Sequence, residues 1–287
     1  MRVLVTGAAG QVGYEIARCL AGRAQVAAHD RSSLDLANRD AIVARVREFR
    51  PEVIVNAAAY TNVDRAEAEV EAARAVNGIA PGVLAQEAKR LGALLVHFST
   101  DYVYDGTKGT PYVETDPTHP LSAYGRTKLE GERAIVESGC DHLILRTSWV
   151  YAARGRNFML TMLHLAATQP EIRVVDDQRG APTCSRHLAK AVMEILERRN
   201  GADGVYHASA AGATTWFGFA QAIFAERART RAFTQPRLVA ITTRQYPTPA
   251  ARPANSVLSN ARLEATFGVR LPDWRAGLVE TLSGLEG

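Results

Sequence analysis

The sequence predicts an α/β protein built on a doubly wound parallel sheet, with a smaller C-terminal α/β lobe. Three observations carry that prediction. The chain opens on a β-branched run, Arg2-Val-Leu-Val-Thr6, followed at once by Gly7-Ala-Ala-Gly10-Gln-Val-Gly13 and an amphipathic helical stretch over 14–20. Apolar strand-like runs then alternate with helical patterns as far as residue 150, the rhythm of parallel βαβ units. No repeat, low-complexity tract or linker interrupts the remainder. Residues 1–150 are therefore expected to form a dinucleotide-binding domain and residues 151–287 a mainly substrate-binding lobe, with an approximate boundary that the chain can cross.

Bulk composition bounds the function. With 47% hydrophobic and 22% charged residues the chain is an ordinary globular one. The formal charge of +4 is not concentrated in basic runs interleaved with aromatics, which argues against nucleic acid and suits a small anionic ligand. Cys19, Cys140 and Cys184 are odd in number and scattered, so a reducing compartment fits better than a disulfide framework. No basic, apolar leader and no run near the ~20 residues of a membrane span is present. A cytoplasmic location without membrane association follows as the expectation.

Each element then contributes a piece of a site. Gly7 permits a tight turn, Gly10 lets backbone approach a pyrophosphate, and Gly13 lets the helix close on the strand. The second strand, over 25–30, ends on Asp30, about twenty residues past the glycines, where an acid can accept ribose hydroxyls. Arg31, Ser32 and Ser33 could instead partner a 2′-phosphate, so NADH and NADPH both remain open. After a helix over 39–49, a third strand over 52–56 runs into Ala57-Ala-Ala-Tyr60-Thr61, small enough for a flat ring to lie against backbone. A long helix over about 70–91 carries Asn77, which implies a kink or a polar task there.

The fourth strand, over 93–98, delivers Ser99-Thr100-Asp101 to the carboxyl edge of the sheet, where open α/β folds bind ligands. A Gly/Pro-rich loop leads to a helix over 123–137 bearing Tyr124 and Lys128, four apart and so on one face. An ammonium there is expected to pull the phenol down from its ordinary value near 10. His97, on an apolar strand, reads as a core histidine, and His29, His119 and His207 have no metal-ligand spacing. Beyond a fifth strand over 142–146, helices are expected over 157–167, 186–198, 216–227, 260–267 and 274–282, with a strand over 172–175.

Glycine turn, acid at the second strand end, Ser/Thr strand end and Tyr-x-x-x-Lys, in this order, resemble the extended short-chain dehydrogenase/reductase superfamily. The resemblance narrows on Asn56-Ala-Ala-Ala-Tyr-Thr61, Ser99-Thr-Asp-Tyr-Val103, Tyr124-Gly-Arg-Thr-Lys-Leu-Glu-Gly-Glu132 and Arg146-Thr-Ser-Trp-Val-Tyr151. Asp177-Gln-Arg-Gly-Ala-Pro-Thr183 and the proline-fixed Tyr246-Pro-Thr-Pro-Ala-Ala-Arg-Pro-Ala-Asn-Ser256 narrow it further. Over essentially the whole chain these look like the dTDP-4-dehydrorhamnose reductase family, within a Rossmann-like fold.

That resemblance implies reduction of a 4-keto dTDP-sugar to dTDP-L-rhamnose by NADPH or NADH, for cell-surface polysaccharide such as O antigen. It implies a catalytic trio of Thr100, Tyr124 and Lys128, with Tyr124 as general acid. It places Gly7, Gly10, Gln11, Val12 and Gly13 at the pyrophosphate, and Asp30, Asp35 and Leu36 at the adenosine half. Ala59, Tyr60, Thr61 and Phe98, with Tyr124 and Lys128, would line the nicotinamide side. Thr100, Asp101, Tyr124 and Trp149 would touch the sugar, and Arg252 and Asn255 the nucleotide portion. Trp149 could equally be core packing, and Arg252 a surface residue. The family pattern allows a homodimer sharing a cation held by carboxylates such as Glu15, but Arg186 stands where a second carboxylate would be wanted, so no metal is expected. Rival readings are another nucleotide-sugar reductase or epimerase, and a non-catalytic regulatory subunit of the same fold.

Overall fold

The computed structural model describes residues 1–230 and 233–285. Its first layer follows β1 (Arg2–Thr6), α1 (Gln11–Leu20), β2 (Gln25–His29), α2 (Arg39–Phe49), β3 (Val53–Asn56), α3 (Val63–Ala66), α4 (Val70–Arg74), α5 (Ala80–Leu91) and β4 (Leu94–Thr100). Then come α6 (Ala123–Ser138) and β5 (His142–Thr147). The second half holds β6 (Val150–Tyr151), α7 (Phe158–Ala166), β7 (Glu171–Val175), β8 (Arg179–Gly180), β9 (Thr183–Cys184), α8 (Ser185–Arg198) and β10 (Gly204–His207). It closes with β11 (Thr214–Thr215), α9 (Trp216–Thr230), β12 (Arg237–Ile241), α10 (Ala261–Phe267) and α11 (Trp274–Ser283).

The main sheet has the order β10-β5-β4-β3-β1-β2, and every neighbouring pair is parallel. The chain steps outward from β1 to β2 and then returns to the other side of β1 as β3. The carboxyl ends of β1 and β3 thus flank the topological switch point, where such sheets open a crevice. Strand residues alternate between two apolar layers. Val3, Val5, Val55, Val96 and Leu145 pack with Ile16 of α1 and Leu188 and Val192 of α8. Leu4, Ile54, Leu95 and Ile144 face Ile42 and Val46 of α2, Leu84 of α5 and Ile135 of α6. Burial on both faces explains why these strands read as continuous apolar runs.

After β5 the chain leaves the sheet, and then α8 returns to pack beside α1 and β10 joins the edge of β5. Residues near 185–207 therefore belong to the layer that begins at residue 1, not to a separate lobe. The lobe proper is a third core, in which Met159, Ile172, Val174, Phe219, Phe224, Trp274 and Leu278 pack together. Its β7 pairs in parallel with β12, a strand over 237–241 that the sequence pattern does not disclose.

The long helix expected over 70–91 is broken by a π-helical turn at Ala75–Ile79. Pro81 has no N–H to give the carbonyl of Asn77, four residues back, so the regular ladder fails there. The side chain of Asn77 does the polar work: its Oδ1 accepts the N–H of Tyr60 at 2.8 Å, and its Nδ2 donates to the carbonyl of Tyr60 at 3.1 Å. Its backbone oxygen faces Gly131 of α6, where an added Cβ would lie 2.1 Å away. The absence of a side chain at Gly131 thus lets α6 lie directly against the wide turn. Gly131→Ala is expected to lower unfolding free energy by about 1–3 kcal/mol through overpacking against backbone; a denaturation midpoint equal to wild type would refute this account of the seam.

Candidate active site

A cleft of about 970 Å³ opens at the switch point. One end is the glycine turn. Gly7 has φ +69°, a left-handed conformation suited to glycine, and an added Cβ would sit 2.7 Å from the backbone of Ala58. Gly10 is the N-cap of α1 and offers no side chain to cap it. The uncapped start of a ten-residue helix therefore faces the cleft with Gly10, Gln11 and Val12 on its wall. Free N–H groups and the positive end of the helix dipole suit a pyrophosphate. Gly13 does not line the cleft; it lies behind, where a Cβ would come within 2.2 Å of the carbonyl of Gly7.

Asp30, Asp35 and Leu36 line the same cleft beside Arg31. The Asp30 carboxylate is folded back on its own turn: Oδ1 accepts from the N–H and hydroxyl of both Ser32 and Ser33 at 2.6–3.1 Å. The Ser32 and Ser33 hydrogen bonds hold its carboxyl below the ordinary range. Further along, Ala59, Tyr60, Thr61 and Phe98 form a wall that is largely small or apolar. The Tyr60 hydroxyl donates to Glu69 at 2.6 Å, and Arg65 braces the other Glu69 oxygen at 2.7 Å.

Thr100, Asp101, Tyr124, Lys128 and Trp149 complete the cleft. Ser122 caps α6 by accepting the N–H of Gly125 at 3.2 Å, which fixes the start of the helix that bears Tyr124 and Lys128. Lys128 is 1% exposed. Its Nζ donates to the carbonyl of Phe98 at 2.6 Å and stands 3.2 Å from His97 Nε2. Burial pulls the ammonium down to about 8, against the charge of Glu132. Here one expectation is corrected. Lys128 does not draw the phenol down: desolvation pushes Tyr124 up to about 12, with a hydrogen bond from Thr100 pulling down and Asp101 pushing up. Lys128 is not among the groups that move it, and at neutral pH Tyr124 holds its proton.

The Thr100 hydroxyl is within reach of both Asp101 Oδ1, at 3.0 Å, and the Tyr124 phenol, and it accepts the N–H of Tyr102 at 3.1 Å. Asp101 is 2% exposed. Burial pushes its carboxyl up to about 6, opposed by hydrogen bonds from Ser256, Thr100 and Ser148. Beneath lies a buried ion pair. Arg146 of β5 grips Glu132 of α6 with Nε at 3.0 Å and Nη2 at 2.6 Å, and Ser99 donates to the same carboxylate. Sheet and helix are bolted together directly under the cleft.

Trp149 has φ +47°, a strained left-handed backbone for so large a residue. Its indole stacks on Trp216 with centroids 3.5 Å apart and planes 5° from parallel. Gly180 accommodates it, since a Cβ there would meet the indole at 2.4 Å. The structure does not bring Arg252 or Asn255 onto the cleft walls. Arg252 closes its fork on Asp64 at 3.1 and 2.7 Å, joining the proline loop to α3. Asn255 spends its amide tying the carbonyls of Lys108 and Thr110, at 2.7 and 3.2 Å. Near α1, Arg186 lies between Glu15 at 3.9 Å and Glu280 at 3.1 Å. Burial opposes ionisation of Glu280, yet His187 and Arg186 hold it down to about 2. Among the described residues no group of three or more His, Cys, Asp or Glu side chains converges as a metal site.

Sequence reasoning missed the wall opposite the glycine turn. Gly155 and Arg156 line the cleft, and Asn157 donates to Gln11 Oε1 at 2.8 Å. The signal was available in Arg154-Gly-Arg-Asn157, a glycine between two arginines.

The family model described as the RmlD substrate binding domain matches residues 1–286. This chain belongs to that family. A dTDP-4-dehydrorhamnose reductase of Burkholderia thailandensis is 53% identical over 285 residues, covering 96% of each chain. A solved dTDP-4-dehydrorhamnose reductase of Clostridium acetobutylicum superposes with TM-score 0.95 at 38% identity, covering 100% of both chains. One from Bacillus anthracis, solved in complex with NADP, gives TM-score 0.93 at 33% identity over 99% of each chain. The Rossmann-like fold and the family read from the sequence both hold.

If Gly180 is what makes room for the Trp149 indole, Gly180→Ala should break the Trp149–Trp216 stack. Circular dichroism should then lose the exciton signal of the paired indoles; an unaltered signal would show that the stack does not depend on this glycine.

Proposed function

We propose that this chain reduces the 4-keto group of dTDP-4-dehydrorhamnose to give dTDP-L-rhamnose, using NADPH or NADH. The observation that carries the reading is the convergence of Thr100, Tyr124 and Lys128 at one end of a cleft whose other end is an uncapped helix N-terminus. The 53% identity to a reductase of that name supports the choice of sugar.

The residues fit a nicotinamide dinucleotide. The start of α1 would take the pyrophosphate, and Ala59 with Phe98 would flank the ring. An ammonium has three N–H donors; two of those on Lys128 are committed to Phe98 and His97, and one is left for a ribose hydroxyl. When bound, the cofactor supplies the hydride. The chain's own task is to place the ketone and to protonate its oxygen as charge grows there. Tyr124, whose phenol is protonated at neutral pH, is the general acid in this reading. Thr100 can turn its hydroxyl from Asp101 to the ketone oxygen or hold the phenol in line. Trp149 offers a flat face for the sugar ring. Arg252, once released by Asp64, has the planar fork that a diphosphate accepts.

The test is a multiple-turnover assay on the dTDP-4-keto sugar, with both cofactors and with the UDP sugar in parallel. Many equivalents of cofactor should be oxidised per protein. Oxidation that stops at one equivalent would favour an epimerase, and cofactor binding without reduction would favour a regulatory role. Tyr124→Phe should lower kcat by about 10²–10⁴-fold, the usual worth of a general acid, with cofactor affinity retained; full turnover would remove Tyr124 from the chemistry. Because Lys128 must stay protonated to bind the ribose, turnover should fall as pH rises through about 8. A profile flat to pH 10 would contradict that role.

A further inference from the structure

Lys128 is held from behind by a row of buried polar side chains that no step above uses. Thr6 on β1, Asn56 on β3 and His97 on β4 are register partners across three adjacent parallel strands, so their side chains emerge from one face in line. All are buried: Thr6 is 1% exposed, Asn56 and His97 0%. The Thr6 hydroxyl donates to Asn56 Oδ1 at 2.6 Å, Asn56 Nδ2 stands 3.0 Å from His97 Nδ1, and His97 Nε2 stands 3.2 Å from Lys128 Nζ. Three polar residues in an otherwise apolar layer are costly unless each is satisfied.

We infer that His97 is a positioning residue for Lys128, accepting one ammonium proton through Nε2, and that Asn56 fixes the imidazole in the tautomer this requires. The inference rests on the reading of Lys128 as the ribose-binding lysine. Proton counting supports it. Burial and the Lys128 charge both hold His97 neutral, so one ring nitrogen carries a proton and the other accepts. Beside an ammonium, Nε2 must accept; Nδ1 then carries the proton and needs an oxygen. As placed, the Asn56 amide gives Oδ1 to the Thr6 hydroxyl and Nδ2 to His97, which suits a neutral Lys128 amine receiving a proton from Nε2–H. The ammonium state requires the amide turned over, a rotation that exchanges O and N in the same space, with Oδ1 to His97 and Nδ2 to the Thr6 hydroxyl. The row therefore has two proton registers, one for each state of the lysine, and its three members are buried. The other titratable groups around Lys128 are Tyr124 and Glu132 on α6 and Asp101 beyond β4, with Arg146 of β5 behind Glu132.

Two substitutions separate the ends of the row. His97→Gln retains an acceptor where Nε2 stood, and His97→Asn retains the contact to Asn56 but withdraws from Lys128. Both should lower the melting temperature. In His97→Asn the alkaline limb of the pH–rate profile should move to lower pH, because an ammonium without its acceptor loses its proton more readily. Its cofactor KM should rise by about tenfold, the worth of one hydrogen bond to a charged group. His97→Gln should restore both toward wild type. Equal behaviour of the two variants, or an unmoved alkaline limb and KM in His97→Asn, would overturn the inference. Should either variant fail to fold, ¹⁵N NMR of the wild-type imidazole decides independently of turnover. A proton on Nδ1 at pH 7 is expected; a proton on Nε2 there would contradict it, whether or not the protein proves to be a reductase.

Discussion

A buried ammonium is the constraint around which this molecule is arranged. Lys128 sits where α6 meets the carboxyl end of the sheet, 1% exposed, and a charge so placed must find partners or lose its proton. The Phe98 carbonyl and His97 supply two of them, and both come from β4. That fixes the distance of α6 from the sheet. Gly131 lets α6 lie against the π-helical turn at Ala75–Ile79 at the same time, and the Arg146–Glu132 pair clamps α6 to β5 from below. A desolvated ion pair is a weak source of net stability, but severing one costs about 3–5 kcal/mol because the surviving charge is stranded. The clamp thus acts on position: through Ser99 and Arg146, β4 and β5 are both tied to Glu132 of α6.

The same seam brings together three groups that burial shifts in opposite directions. Desolvation pulls the Lys128 ammonium down and pushes the Tyr124 phenol and the Asp101 carboxyl up. Each is moved toward its neutral form. A raised phenol keeps its proton at neutral pH and is a weaker acid for it; under the proposed reading, only the negative charge growing on the ketone oxygen draws that proton away. Under the proposed reading, the reaction works by moving charge onto an oxygen held within reach of these groups.

How much of this was legible follows from the range of the interactions involved. The glycine turn, the strand that ends on Ser99-Thr100-Asp101, and Tyr124 with Lys128 are local patterns, written in spacings of three and four residues. They could be read directly. The wide turn at Asn77 was half legible, as a polar residue where a helix should be apolar; that Pro81 and Gly131 complete it depends on a packing partner fifty residues away. The return of β10 to the main sheet, and β12 beside β7, are long-range pairings with no local signature. The fork of Arg252 on Asp64 and the use of Asn255 as a loop tie belong to the same class, because a residue's type shows what it can bind but not which neighbour reaches it first. His97 is the instructive case. As a lone histidine on an apolar strand it read as core, and core it is; its link to Lys128 appears only once Thr6, Asn56 and His97 fall into register.

The central claim is that hydride passes from the cofactor to the sugar's ketone carbon while the protein protonates the oxygen. NADPH carrying deuterium at the transferable C4 position tests this most directly. Turnover of the dTDP-4-keto sugar should yield dTDP-L-rhamnose with deuterium at C4 of the sugar, one atom per cofactor oxidised. Product without deuterium at that carbon, or label retained in the cofactor after turnover, would contradict the account.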